Sequence, residues 1–150
     1  MSFLLDTNVV SEWARPRPEP NVIAWLASVD EDAVFMSVVS FAELRHGVER
    51  LPGGPRRERL AAWIADDLTT RFHGRVLPVD RWVADAWGAV MARGQRAGVA
   101  LEPMDAFFAA TAAAHDLTLV TRNVRDFACL DIPVHNPWED GDRGPGSAQT

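Results

Sequence analysis

The sequence predicts an α/β fold with a short, mainly parallel central sheet. Short apolar runs typical of buried strands alternate along the chain with stretches in which apolar residues recur at helical spacing. Such alternation is typical of parallel sheets whose strands are joined by helices. No internal repeat or linker divides the 150 residues, and a hydrophobic content of 47% suits one domain with a buried core.

Each predicted strand is a short apolar run bounded by polar or turn-forming residues. These runs lie at residues Phe3–Leu5, 33–36, 76–79, 117–120 and 132–135. Helical spacing predicts helices at residues 9–14, 22–29, 56–72 and 105–115, one more that carries Glu43, and one that begins after Asp80. The segment 95–103 is expected to be a loop.

Several polar residues are placed to cap the predicted helices. Asn21 precedes the helix at 22–29, Ser37 or Ser40 precedes Glu43, and Asp80 precedes the helix after the third strand. We therefore expect each helix to begin at a side-chain oxygen that accepts a hydrogen bond from a free backbone N–H group.

Composition limits the classes of function. No apolar run approaches the roughly 18 residues of a membrane span, and no signal peptide is visible, so a cytoplasmic protein is expected. The net charge of −6 argues at first sight against a nucleic-acid partner, although part of it lies in a predicted flexible tail at 139–150, beyond a domain at 1–138. All fifteen basic residues are arginine, which suits either phosphate recognition or a GC-rich genome.

Four acidic residues stand at comparable positions relative to the predicted elements. Asp6 follows the first strand, Glu43 lies in the helix after the second, Asp105 begins an Ala-rich helix, and Asp126 follows the fourth strand. A parallel α/β fold gathers strand C-terminal ends and helix N-termini at one sheet edge, so we expect these acids to meet there. Clustered carboxylates repel one another unless a hard cation such as Mg²⁺ binds.

The segments that carry these acids appear in a recognisable order. They read LDTN at residues 5–8, SFAELRHG at 40–47, PMDAFFAATA at 103–112 and TRNVRDF at 121–127, followed by NPW at 136–138. In this order and spacing the chain resembles the PIN-domain family, in particular the VapC and FitB type of bacterial toxin. The resemblance extends from Phe3 to Trp138.

The resemblance implies a fold, an activity and a set of functional residues. It implies a PIN-like three-layer α/β/α domain that acts as a Mg²⁺-dependent endoribonuclease, with Mn²⁺ as a substitute. Asp6, Glu43 and Asp105 would bind the metal, and Asp126 would complete the catalytic set. The supporting residues implied by the family words are Thr7, Asn8, Thr121, Arg122 and Asn123.

The resemblance also implies partners. An RNA would be the substrate, and a small cognate antitoxin with a DNA-binding segment would block the cleft. The toxin would form a homodimer or a toxin–antitoxin hetero-oligomer, with no membrane partner.

Local alternatives stay open for each acid. Asp6 and Asp105 also suit helix N-termini, and Glu43 suits a solvated helix face. Relatives often carry an acid where this chain has Asn123, so the fourth carboxylate of the set is open between a direct role for Asp126 and a supporting one.

Other functions are less well supported by the sequence. A phosphatase with an Asp after its first strand usually has a second Asp two residues on, where this chain has Asn8, and a Lys, which it lacks. A non-catalytic PIN-fold binding module is the main alternative. The four histidines lack zinc-ligand spacing, and the six tryptophans lie among aliphatic residues at helical spacing, which favours core or interface positions over base stacking.

Overall fold

A five-stranded parallel sheet forms the centre of the protein, whose computed structural model describes residues 1–142. The strands are β1 (Phe3–Leu5), β2 (Val34–Ser37), β3 (Val76–Leu77), β4 (Thr118–Val120) and β5 (Val134–His135). Their spatial order is β3-β2-β1-β4-β5, and every neighbouring pair is parallel. The predicted α/β class is therefore confirmed, and β1 lies in the middle of the sheet.

All five predicted strands are present; β1 has the predicted bounds and the other four have shifted ends. Residue Ala33 belongs to a 3₁₀ turn, Glu31–Ala33, which Asp30 caps through a hydrogen bond from the Asp32 backbone N–H. Strand β3 ends at Leu77 because Pro78 follows and has no N–H group to continue the ladder.

Helices cover both faces of the sheet. They are α1 (Thr7–Val10), α2 (Pro20–Ser28), α3 (Val38–Glu49), α4 (Pro55–Ala62), α5 (Thr69–Arg71), α6 (Arg81–Arg96) and α7 (Pro103–His115). A π-helical stretch, Trp63–Leu68, joins α4 to α5, so the predicted helix at 56–72 is continuous but not α-helical throughout. None of the helices in residues 1–142 is long and apolar enough to cross a membrane.

The two faces of the sheet bury separate apolar clusters. Leu4 of β1 packs into the cluster formed with α6 and α7, which includes Val90 and Phe108. Leu5, the next residue, packs into the cluster on the other face, which includes Val22 and Phe72. Because successive strand residues point to opposite faces, this alternation gives the three layers of the fold.

Polar caps begin several helices, although one predicted cap is wrong. Ser37 accepts a hydrogen bond from the Val39 N–H at the start of α3, and Asp80 accepts one from the Val83 N–H at the start of α6. Asn21 does not cap α2, which begins at Pro20 because the fixed φ of proline suits the first helical position. The Asn21 amide instead donates a hydrogen bond to the Trp138 carbonyl.

The described structure continues after β5 and past residue 138, the predicted domain boundary. A 3₁₀ segment, Pro137–Asp142, packs against α2, and the Asp140 carboxylate lies 3.1 Å from Nε2 of His135. The predicted tail at 139–150 thus begins inside this segment, and its part from residue 143 onward lies outside the described residues.

Candidate active site

Asp6 lies at the centre of the C-terminal edge of the sheet, directly after β1. Its backbone N–H extends the ladder with a 2.9 Å hydrogen bond to the Val120 carbonyl, and its side chain is only 5% exposed. Oδ1 accepts a 2.7 Å hydrogen bond from the Thr7 N–H, and Oδ2 accepts one of 2.7 Å from the Thr121 hydroxyl. Asp6 therefore caps α1 and holds a carboxylate at the mouth of the sheet, so the capping alternative and the site prediction are compatible.

Burial makes the Asp6 carboxylate costly. Desolvation raises the pKa of Asp6 from 3.8 to about 6, against the lowering effect of the hydrogen bonds from Thr121 and Thr7. The negative charges of Glu43 and Asp126 raise the pKa further. A cation near Asp6 would reverse this shift, because an opposite charge favours the ionised form.

Glu43 is tied to Asp6 through Thr7. Ser37 fixes the start of α3, which places Glu43 about one and a half turns into the helix. The Thr7 hydroxyl donates a 2.7 Å hydrogen bond to Oε1 of Glu43 and lies 2.9 Å from the Ser40 hydroxyl. Because Thr7 has one hydroxyl proton, Ser40 must donate to Thr7, and this chain of bonds holds both carboxylates in place.

Asp105 reaches the same edge from the first turn of α7. Its carboxylate is about half buried, and its pKa is raised from 3.8 to about 6, first by desolvation and then by the charge of Asp6. The charges of Glu102, Asp126 and Glu43 contribute smaller increases. Charge effects of this kind fall off with distance, so they indicate that the four acids that the sequence singled out lie along the same edge of the sheet.

Asp126 and Asn123 lie on the exposed side of the site. Asp126 is in the 3₁₀ turn Val124–Phe127, and Asn123 directly precedes that turn. Asp126 affects the pKa of both Asp6 and Asp105. Asn123 makes backbone hydrogen bonds: its N–H donates to the Thr121 hydroxyl oxygen at 3.1 Å, and its carbonyl accepts from the Asp126 N–H at 3.1 Å. The charge of the site on this side therefore comes from Asp126.

Thr121 organises the polar support of the site. Its buried hydroxyl donates to Asp6 and accepts hydrogen bonds from the Asn123 N–H and, at 3.4 Å, from the Asn8 amide. The side-chain oxygen Oδ1 of Asn8 in turn accepts a 3.4 Å hydrogen bond from the backbone N–H of Arg122. The predicted supporting residues thus form one network around Asp6, in which Arg122 takes part through its backbone N–H, while its guanidinium carbon lies 5.4 Å from the ring centroid of Trp138.

The donor set suits a hard, hydrated cation. Every side-chain atom of the acidic cluster that could ligate a metal is an oxygen. Each Asp6 oxygen accepts one hydrogen bond and keeps a free lone pair. Within residues 1–142, no three His, Cys, Asp or Glu side chains converge closely enough to ligate one ion directly. Because Mg²⁺ usually retains several waters and needs only one or two carboxylates, the arrangement fits Mg²⁺ bound partly through water.

A wide pocket of about 780 Å³ adjoins the acids. Thr7 and Glu43 line it together with Arg56 and Arg59, which contribute positive charge, whereas Arg15 is paired with Glu12 at 3.1 Å. Trp63 adds an apolar wall. The pocket therefore offers space and positive charge to a ligand with a negatively charged backbone, beside an otherwise acidic site.

Two residues near the acids were not assigned a site role from the sequence. Glu102 accepts hydrogen bonds from the Met104 and Asp105 N–H groups and caps α7, and its charge also raises the pKa of Asp105. The signal was an acid directly before Pro103, since proline often occupies the first position of a helix after a cap. Ser40 was considered only as a cap, and no local pattern indicates its contact with Thr7.

Comparisons with known proteins agree with this geometry. The sequence model described as PIN domain matches residues 3–132. The protein named toxin FitB from Neisseria gonorrhoeae is 39% identical over 138 residues, which cover 92% of this chain and 99% of the relative. The protein named VapC ribonuclease Y4jK from Sinorhizobium fredii is 32% identical over 91% of this chain and 98% of its own length.

Solved structures give the same result. The structure of FitAB bound to the IR36 DNA fragment contains a chain that superposes with a TM-score of 0.85 at 37% identity, covering 91% of this chain and 95% of that one. FitAcB from Neisseria gonorrhoeae also gives a TM-score of 0.85, at 38% identity, with coverage of 91% and 98%. The three-layer architecture described above is therefore shared with these chains.

Proposed function

Because the chain belongs to the PIN domain family, we propose that it is a metal-dependent endoribonuclease and the toxin of a toxin–antitoxin pair. The observation that carries the proposal is the gathering of Asp6, Glu43, Asp105 and Asp126 at the C-terminal edge of the sheet. Two of these carboxylates have pKa values raised to about 6. Such a cluster of carboxylates is unfavourable without a bound cation and is typical of a site that binds one.

Asp6, Glu43 and Asp105 would hold Mg²⁺, partly through bound water, and Mn²⁺ can substitute for it. The cation supplies the Lewis acid that lowers the pKa of a water and offsets negative charge on the phosphate. The chain supplies the orientation: Thr121 and the Thr7 N–H fix the two oxygens of Asp6, and the Thr7 hydroxyl fixes Glu43.

Asp126 has a different role in this proposal. It lies on the exposed side of the cluster, and its charge acts on both Asp6 and Asp105. We assign it to orient a water at the site. The Asn123 amide, on the same exposed side, is the neighbouring polar group that would help to bind this water.

A cognate antitoxin would control the activity. The relatives include a protein named as a toxin, and the solved neighbours include FitAB and VapBC complexes bound to DNA fragments. We propose that a small antitoxin with a DNA-binding segment blocks the cleft that contains Glu43. The active toxin would be a homodimer.

The test is cleavage of total cellular RNA by the purified, antitoxin-free protein. Reactions contain Mg²⁺, Mn²⁺ or a chelator, and new 5′ ends are mapped by sequencing. The wild type is compared with Asp105→Asn and with the control Asp32→Asn, an exposed acid before β2 at the opposite edge of the sheet. We expect discrete, metal-dependent cuts that Asp105→Asn reduces at least 100-fold, as for loss of a major electrostatic group (~2.7 kcal/mol).

Two outcomes would contradict the proposal. Cuts that persist unchanged in Asp105→Asn would show that the nuclease activity comes from another site or a contaminant. Intact RNA under every condition, with a folded protein that binds the cation, would favour a non-catalytic binding module that retains the PIN fold.

A further inference from the structure

An exposed apolar patch lies on the same sheet edge as the acids. Apart from Met1, the large apolar side chains exposed in residues 1–142 are Val38 at 43%, Val79 at 38% and Trp82 at 70%. Val38 directly follows the last residue of β2, Ser37, which pairs in register with Leu77 of β3. We call Val38, Val79 and Trp82 the edge patch.

The fold places the edge patch beside the carboxylates. Val79 lies two residues beyond the end of β3, and Trp82 lies in the first turn of α6. Asp6 follows β1, which is the neighbour of β2 in the sheet. The C-terminal edge therefore carries the acids above β1 and β4 and the edge patch above β2 and β3.

Trp82 differs from the other tryptophans of the chain. The other five are half-buried, in agreement with the core or interface positions that the sequence favoured. Trp82 instead presents its indole to solvent, and the guanidinium carbon of Arg81 lies 5.8 Å from its ring centroid. Within residues 1–142 Arg81 forms no ion pair, so its charge is free to meet an anion.

An exposed indole beside a free arginine matches the chemistry of a nucleotide. A base stacks on an aromatic ring with little regard to sequence, and a guanidinium contacts the adjoining phosphate. We propose that Trp82 and Arg81 form a stacking subsite for one nucleotide of single-stranded RNA that flanks the bond cut at the carboxylates. This inference rests on the ribonuclease function proposed above.

A second copy of the chain is a less suitable occupant. A standard protein interface buries about 800 Å² on each partner. Trp82 exposes roughly 180 Å², taking about 250 Å² for a full indole side chain, and the two valines are each more than half covered. The edge patch alone therefore supplies only a fraction of the area of a stable interface, and the unpaired charge of the neighbouring Arg81 favours an anion.

The first test measures RNA binding without cleavage. The Asp105→Asn protein is titrated with fluorescent ten-nucleotide oligo(A) and oligo(U), and with an abasic strand of the same length. Adding Trp82→Ala should weaken oligo(A) binding about tenfold, because stacking contributes roughly 1–3 kcal/mol per base, and Trp82→Phe should retain most of the affinity. Binding of the abasic strand should change less than twofold.

Arginine variants separate stacking from phosphate contact. Arg81→Gln should weaken binding of all three strands and reduce the slope of log affinity against log salt by about 0.7. The matched control is Arg96→Gln, an exposed arginine at the opposite end of α6, which should leave both quantities unchanged. An equal loss in Arg96→Gln would indicate a general charge effect and overturn the assignment of Arg81.

The second test uses the otherwise wild-type enzyme on an oligonucleotide that spans a mapped cut. Trp82→Ala should raise KM about tenfold and leave kcat within threefold, because a flanking contact binds substrate and transition state alike. Its thermal stability should be unchanged, since the side chain is 70% exposed.

The outcomes distinguish this inference from the proposed function. RNA that is cut by Trp82→Ala with wild-type KM would overturn the stacking subsite and leave the ribonuclease intact. A sedimentation experiment in which Trp82→Ala turns a dimer into a monomer with unchanged RNA affinity would assign the edge patch to a second copy instead. A wild type that neither binds nor cuts RNA would overturn both proposals.

Discussion

Without metal, the Asp6→Asn variant should be less stable than the wild type at acidic pH and more stable than the wild type at neutral pH. Asn is nearly isosteric with the protonated carboxyl group and carries no charge. The variant therefore removes the cost of a buried carboxylate and leaves the shape of the site almost unchanged. Contributions from acids outside the site cancel between the two proteins, so the difference reports on Asp6 and on the acids that its charge affects.

The magnitude follows from the pKa of Asp6 in the folded protein. Burial raises this pKa from 3.8 to about 6, and each unit corresponds to about 1.4 kcal/mol, so ionised Asp6 costs the folded state about 3 kcal/mol. The amide introduced by Asp6→Asn meets a Thr121 hydroxyl that already accepts from Asn8 and Asn123. The hydrogen bond lost there offsets about 1–1.5 kcal/mol of the gain.

The sign depends on which state binds more protons. Between pH 4 and pH 6 the folded wild type keeps a proton on Asp6 that the unfolded chain has released, so its unfolding free energy falls as pH rises. The penalty is absent below about pH 4 and fully present above about pH 7. The variant should therefore be about 1 kcal/mol less stable than wild type at pH 4 and about 1–2 kcal/mol more stable at pH 7.5.

The assay is urea unfolding at pH 4, 5, 6 and 7.5 in the presence of chelator, with Asp32→Asn as a control for the loss of one exposed charge. A difference between variant and wild type that stays constant from pH 4 to pH 7.5 would refute the argument. Excess Mg²⁺ at pH 7.5 should then stabilise the wild type and not the variant, because binding to the folded state alone adds stability.

Two further substitutions test the supports of the site, each against a matched control. Thr121→Val removes a buried donor to Asp6 and should lower the unfolding free energy by about 1–3 kcal/mol and weaken Mg²⁺ binding measured by calorimetry. The control Thr111→Val, which loses a hydrogen bond within α7, should leave Mg²⁺ affinity unchanged. An equal loss of Mg²⁺ affinity in both variants would contradict a specific role for Thr121. Ser37→Ala removes the cap of α3 and should cost about 1 kcal/mol in urea unfolding, whereas Ser28→Ala at an exposed site should cost less than half as much; equal costs would contradict the cap.

Local chemistry explains which features the sequence could predict. A strand followed by Asp-Thr-Asn predicts the strand end and the capping role of Asp6, because one side chain serves as cap and as site residue, although the helix begins at Thr7 and not at the expected Val9. Ser37 and Asp80 were predictable for the same reason, since a cap is decided within three residues. The predicted cap at Asn21 was wrong because Pro20 suits the first helical position and so moves the helix start two residues earlier.

Features decided by distant parts of the chain were not predictable. Strand order is set by pairings between residues 15 or more positions apart along the chain, such as Phe3 with Val34 and with Thr118. The contact between Thr7 and Ser40 and the exposure of Trp82 depend on the same packing. Helical periodicity placed Trp82 among aliphatic neighbours but gave no indication that its side of α6 faces solvent.

The raised pKa of Asp105 shows that the acids act as one electrostatic unit. Asp105 lies in the first turn of α7, where the helix dipole favours negative charge by about 0.3–1 kcal/mol. Its pKa is nevertheless raised, because partial burial and then the charge of Asp6 outweigh that benefit. Any substitution that neutralises Asp6 should therefore lower the pKa of Asp105, and a cation that binds one acid should release protons from both. The stability of this domain and its affinity for a divalent cation are expected to change in opposite directions when a site acid is removed.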